Sequence, residues 1–177
     1  DVRKNVIENL TYEKVYKQGF NINTPINLEL QKIATESLRE GLIEYDKRKG
    51  WRGPIINRKL SKNWLNDLDK YEIEKSINWK IAIVKKVNKF SAEVETKDKL
   101  KGIIKYQDIT WTKKEFENLL KVGDVVYVKQ VSENNFSLKQ IPKINGGIVV
   151  MDPYTGRVMA ISGGFSFKNS EFNRASQ

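Results

Sequence analysis

The chain has 177 residues, with 32 basic and 22 acidic side chains, a formal net charge of +10, 39% hydrophobic and 31% charged residues. It contains no Cys and no His, which excludes disulfides, thiol nucleophiles, Cys/His zinc sites and any mechanism with imidazole as the base. No stretch approaches the roughly 18 consecutive apolar residues of a transmembrane helix, and the apolar share is too high for a disordered chain.

Of the basic residues 25 are Lys and 7 are Arg. Arg is the usual choice for bidentate phosphate contacts, so the Lys excess reads first as a solvated background and only second as attraction for an anionic partner. The chain opens at Asp1 without Met and stops at Gln177 without a turn or polar tail, so it is expected to be a piece of something larger.

In chain order, residues 2–18 predict one or two short helices ending at Gly19. Phe20 to Thr24 alternates apolar and polar as a short strand closed by Pro25. Leu30, Ile33, Ala34, Leu38, Leu42 and Tyr45 recur at three- and four-residue steps, which predicts an amphipathic helix over 27–46 with Asn27 as its N-cap. A basic, Gly-bearing run follows from Asp46 to Pro54. A second helix is expected after Ser61, carrying Trp64, Leu65 and Leu68. Residues 79–141 change texture. Trp79, Ile81, Ile83 and Val87 alternate along a first strand, Ala92, Val94 and Thr96 along a second, and Ile104 and Tyr106 along a third. A helical stretch over 112–120 follows, then strands at 125–131 and from 134 to 141. Three strands, a helix and two strands is the order of a small Greek-key barrel of the oligonucleotide/oligosaccharide-binding (OB) kind. After Pro142, residues 147–151 and 157–161 read as a hairpin about the turn Asp152 to Gly156. A two-stranded ribbon is marginal alone, so it is expected to pair with strand 20–24 and lie on helix 27–46. The barrel then reads as an insertion between its flanks.

Candidate chemistry is sparse. Ser166-Phe167-Lys168 has the wrong spacing for a Ser/Lys nucleophile pair, which needs Lys three residues on, and no Ser in the chain has one. Ser61-Lys62-Asn63 and Ser132-Glu133-Asn134 are Ser-x-Asn triplets with no nucleophile beside them. Glu93 and Glu95 read as a solvated strand face, and neither Gly146-Gly147 nor Gly163-Gly164 opens a phosphate loop. The binding candidate is the barrel face, where Lys85, Lys86, Lys89 and Phe90 gather at the first turn, with Lys105, Tyr106 and Trp111 near the third strand. No metal site and no cofactor is expected.

The string from Gly146 to Gly164, followed by Phe172-Asn173-Arg174-Ala175, resembles the start of the transpeptidase domain in class A penicillin-binding proteins. Gly19 to Gln31 resembles the segment entering that domain, and Tyr45 to Gly53 resembles a string typical of the 1A type, which also carries an inserted five-stranded barrel. The resemblance implies an α+β fold: a five-stranded OB-like Greek-key barrel inserted between helix and strand segments of a partial transpeptidase domain. It divides the chain into 1–69 (linker helices, first strand and helix), 70–142 (inserted docking domain) and 143–177 (hairpin and lead-in). It further implies a parent enzyme anchored in the inner membrane, polymerising and cross-linking peptidoglycan on the periplasmic side. The family's Ser-x-x-Lys would lie beyond Gln177, so no catalytic residue is carried over. Implied partners are an outer-membrane lipoprotein activator or other cell-wall protein, and peptidoglycan. Residues 79–139 also resemble an S1-type RNA-binding domain, but Glu93 and Lys105 stand where further stacking groups belong, and no specific nucleic acid is expected.

Overall fold

The computed structural model describes residues 2–18, 21–58, 64–66, 68–168 and 170–176. In chain order it runs through helices α1 (Val2–Leu10), α2 (Tyr12–Gln18) and α3 (Leu28–Lys47), then strands β1 (Ile56–Asn57), β2 (Lys80–Asn88), β3 (Ser91–Thr96) and β4 (Lys101–Lys105). Helix α4 (Phe116–Leu119) precedes β5 (Asp124–Ser132) and β6 (Asn135–Lys139), and the chain ends in the strands β7 (Ile148–Met151) and β8 (Val158–Ser162). Packing divides it into two units. Residues 1–39, 146–164 and 172–177 form one, and residues 40–145 with 165–171 form the other.

In the first unit, α3 begins where expected. The Asn27 side-chain oxygen accepts the backbone N–H groups of Glu29 and Leu30, both at 3.0 Å, satisfying two donors at the helix start. β7 and β8 pair antiparallel, with Ile148 opposite Ser162 and Val150 opposite Ala160. Asp152 organises their turn by accepting the N–H groups of Tyr154 (2.8 Å) and Thr155 (3.1 Å). The strand expected at 20–24 is not there: Phe20 lies outside the described residues, and 21–27 form no strand. A window this short, closed by a Pro that lacks an N–H, offers a ladder few bonds. The edge of β8 is met instead by the Asn27 N–H on the Met159 carbonyl (2.9 Å) and by the Gln31 side-chain amide. That amide donates to the Ile161 carbonyl (2.9 Å) and accepts the Ile161 N–H (3.0 Å), so one side chain mimics a neighbouring strand.

In the second unit, β2, β3 and β4 form an antiparallel meander, and β5 pairs antiparallel with the other edge of β2. β6 runs antiparallel to β5 and closes the barrel by parallel pairing with β4 at Ile103–Asn135 and Ile104–Phe136. The interior is filled by Ala82, Val84, Ala92, Val94, Ile104, Val126, Val128, Phe136 and Leu138, and capped by Ile109, Phe116, Leu119 and Leu120. An α+β chain with a closed five-stranded barrel is the expected architecture. The additional strand, β1, pairs with the first two residues of β5.

The alternation of Trp79, Ile81, Ile83 and Val87 along β2 does not mark a single buried face. Ile81 and Ile83 point out of the barrel, into a second apolar cluster with Trp64, Leu68, Val125 and Tyr127, against which Ile55, Ile56, Tyr71 and Trp79 pack. Ala82 and Val84 point in. A bulge between Val84 and Lys86 reverses the parity and returns Val87 to the barrel core. The unbroken apolar runs 81–84 and 125–128 therefore report burial on both faces, the pattern of a covered strand rather than a half-solvated one.

Three further expectations shift. Ser61 lies outside the described residues, and beyond it residues 64–66 form a turn and Asp69–Tyr71 a 3-10 helix, not an α-helix. The helix expected over 112–120 splits into a 3-10 turn at Thr110–Thr112 and α4, because Lys113 takes a left-handed conformation (φ 56°) between them. The third strand ends at Lys105, where a 3-10 turn begins at Tyr106, although the Tyr106 N–H still reaches the Phe90 carbonyl opposite it (3.1 Å). At the entry to β5, Gly123 sits at φ +91°, and a Cβ there would lie 2.1 Å from the Arg58 carbonyl oxygen. Only glycine fits that turn.

Candidate functional site

The outer face of the barrel's first three strands shows what the Lys-rich composition does locally. Ser91, Glu93 and Glu95 of β3 stand opposite Lys105, Ile103 and Lys101 of β4. From the β2 side, Lys85 pairs with Glu95 (3.2 Å) and Lys86 lies 3.9 Å from Glu93. A row of carboxylates thus runs between two rows of ammonium groups, over a groove of about 550 Å3 that Gly102 and Ile103 also line. Pairing with Glu95 and Glu93 offsets the Lys85 and Lys86 charges that a polyphosphate would need, which opposes the RNA-binding reading.

The seven residues expected to form the binding face separate into three groups. Lys85 and Lys86 belong to the neutralised ladder. Lys89, Phe90, Lys105 and Tyr106 gather at the β2–β3 tip, where Phe90 is 66% and Tyr106 45% exposed. There the Lys89 ammonium stands 5.5 Å from the Phe90 ring centroid. Neither Lys89 nor Lys105 has a carboxylate partner among the described residues. Trp111 is elsewhere: half-buried, it packs on the barrel core and meets Trp51 edge-on, with centroids 6.0 Å apart.

Two carboxylates that the sequence reading passed over organise the unit. Asp46, at the end of α3, is buried and accepts from the Arg52 guanidinium (2.9 Å), the Gln140 amide (2.8 Å) and the Lys143 N–H (3.1 Å). Arg52 also donates to the Ile141 carbonyl at 2.7 Å. The segments entering and leaving the barrel are thereby tied through one side chain. The signal was a lone acid opening a basic run. Glu74 is the second: one of its oxygens accepts the Ser166 hydroxyl (3.2 Å) and the N–H groups of Phe167 (2.5 Å) and Lys168 (3.3 Å). Phe165 beside it is fully buried, 5.6 Å from Trp79, and its N–H reaches the Asn145 side chain (2.8 Å). Ser166 and Lys168 thus serve an acidic clamp, not each other.

Electrostatics on this unit follow from packing. Hydrogen bonds to Asp69 and then Glu72 hold the Lys97 ammonium well above its ordinary range, and Lys97 in turn holds Asp69 low. Burial raises the Tyr127 phenol to about 12, and its hydroxyl donates to the Tyr71 carbonyl at 2.6 Å. Burial also lowers Lys139, with Lys47 and Lys129 adding like-charge repulsion. Among the described residues no group of three or more acidic side chains could hold a metal ion. No helix among them is long and apolar enough to cross a membrane.

The second unit is a closed OB-type barrel braced on its outer side by an apolar cluster. Its class can be stated directly, since the chain belongs to the penicillin-binding protein OB-like domain family, whose model matches residues 51–144. The resemblance extends beyond the barrel. Penicillin-binding protein 1A of Rickettsia prowazekii is 38% identical over 180 residues, covering 99% of this chain, and that of Pseudomonas aeruginosa is 29% identical, covering 93%. The crystal structure of penicillin-binding protein 1A from Haemophilus influenzae superposes with a TM-score of 0.80 at 27% identity, over 99% of this chain and 27% of that one. The chain spans 23% of the length of the Rickettsia relative and 21% of the Pseudomonas one.

Proposed function

We propose that this chain is the non-catalytic docking and linker region of a bifunctional peptidoglycan synthase. The parent polymerises glycan strands by transglycosylation and cross-links their peptides by penicillin-sensitive transpeptidation, on the periplasmic side of the inner membrane. The supporting observation is the likeness to penicillin-binding protein 1A over 99% of this chain, at a TM-score of 0.80 and at under a third of that protein's length. The chain itself has no Ser with a Lys three residues on, and neither His nor Cys to substitute for that pair. Its contribution is to hold distant active sites in register and to offer a barrel surface to a partner, either an outer-membrane lipoprotein activator or another component of the cell wall.

Incubation of the 177-residue chain with a fluorescent β-lactam tests the first part. No covalent label is expected, and stoichiometric labelling would overturn it. Capture from detergent-solubilised envelope at two salt concentrations tests the second. A discrete outer-membrane protein kept at high salt supports docking, whereas binding that vanishes as salt rises leaves only a spacer.

A further inference from the structure

We infer that the β2–β3 tip of the barrel binds a saccharide chain bearing carboxylates, with Phe90 and Tyr106 as stacking platforms and Lys89 and Lys105 as counter-charges. The inference rests on the docking reading above and names one ligand for it. Phe90 and Tyr106 are 66% and 45% exposed, while the barrel's own Phe116 and Phe136 are fully buried. A solvent-facing ring at a tight turn leaves apolar surface in water that a ligand can cover. The Tyr106 N–H bonds to the Phe90 carbonyl (3.1 Å), and Lys105 stands opposite Ser91, so all four residues share one end of the sheet. Lys85 and Lys86, a few residues away, are matched by carboxylates, whereas among the described residues Lys89 and Lys105 have no carboxylate partner. The tip therefore joins two unneutralised ammonium groups to two exposed rings.

A pyranose presents an apolar C–H face to an aromatic ring, and a carboxylate substituent presents a partner to each ammonium. The loop joining the first two strands is also one that barrels of this topology use to hold oligosaccharides. RNA fits less well, because among the described residues only two ammonium groups stand free at the tip. A phosphate backbone, with a charge on every residue, would run on past them over Glu93 and Glu95, which a few sugar units need not reach. Two rings and two ammonium groups also fall far short of the roughly 800 Å2 per partner of a stable protein interface, but suit a few sugar units.

The test is a titration of the isotope-labelled 177-residue chain, followed by amide NMR, with soluble glycan chains released from peptidoglycan. Parallel arms use the same chains with their carboxylates amidated, and a single-stranded RNA. Shifts are expected at Lys89, Phe90, Ser91, Lys105 and Tyr106. Phe90→Ala and Tyr106→Ala should each raise Kd about fivefold. Both Lys89→Gln with Lys105→Gln and amidation of the ligand should weaken binding and flatten its salt dependence. Shifts absent from the tip, Kd unchanged in Phe90→Ala, amidated chains binding as well as native ones, or RNA binding the same amides more tightly would each overturn the inference. If Phe90→Ala still captures a discrete envelope protein while glycan shifts are absent from the parent chain, the docking reading stands and only this ligand falls. If neither is seen, both fall.

Discussion

Asp46 shows how one side chain can fix a fold that its neighbours in sequence do not advertise. It sits 2% exposed in a stretch otherwise basic, and its partners Gln140 and Lys143 lie more than ninety positions away. Replacing it by Ala strands a guanidinium, an amide and a backbone N–H together. Asp46→Ala is expected to cost about 3 kcal/mol in urea unfolding, with Asp46→Asn intermediate because it keeps an acceptor. A cost under 1 kcal/mol would mean the cluster is solvated. Tyr127 supplies a pH signature. Its folded value, about 12 against an ordinary 10.0, means that folding favours the protonated phenol. That contribution is complete below the ordinary value and is lost as pH rises from there towards about 12. The stability difference between the parent and Tyr127→Phe should therefore narrow over that window, and phenolate absorbance should rise late. A difference that stays level across it would contradict the assignment. Lys139 works in the opposite sense: burial and cationic neighbours disfavour its charged form, so Lys139→Met should raise the unfolding midpoint at neutral pH.

Within the barrel, the order of the five strands was readable from the sequence, because alternation in β3 and the turn at Val122-Gly123-Asp124 leave few other arrangements. What alternation could not reveal was which face of β2 looks inward. In a strand covered on both sides every residue is apolar, so period-two reasoning has no polar side to orient it. Alternation puts Ile81 and Ile83 on one face with Val87, but the barrel's narrow interior takes Ala82 and Val84, and a bulge hides the parity change that brings Val87 to it. This yields a direct comparison. Ile83→Ala, on the outside of the barrel, is expected to cost about 3 kcal/mol, at least as much as Val84→Ala inside. If Ile83→Ala proves nearly neutral in denaturant melts, the outer cluster contributes little. The strand expected at 20–24 failed for a related reason: short windows with alternating Asn and Ile carry pattern without committing to a partner, and the Gln31 amide took the position. At the tip the residue types were legible, but the sequence groups Lys85 and Lys86 with Lys89 and Phe90, and Trp111 with Lys105 and Tyr106. The neutralisation of Lys85 and Lys86 required register, which only pairing across strands supplies.

For the molecule as a whole, the family string at either end was the strongest signal in the sequence, while the extent of the barrel unit depends on residues that look like linker. Ile55, Ile56, Trp64 and Leu68 cover the outer faces of β2 and β5, and Asp46 lies further upstream still. A chain shortened to 70–142 would expose that cluster to water. It is expected to melt well below one comprising 40–145, or to remain unfolded, as judged by circular dichroism. Equal melting temperatures would show that the barrel is self-sufficient. The division of the chain has a consequence for how it can be taken apart. The backbone passes from one unit to the other at 39/40, 145/146, 164/165 and 171/172. A protease acting at any one of these junctions would release no domain, since the remaining crossings still join the halves. Limited digestion should yield nested pieces that co-elute until denatured, and force applied at the two ends, which both belong to the first unit, would load that unit before the inserted one.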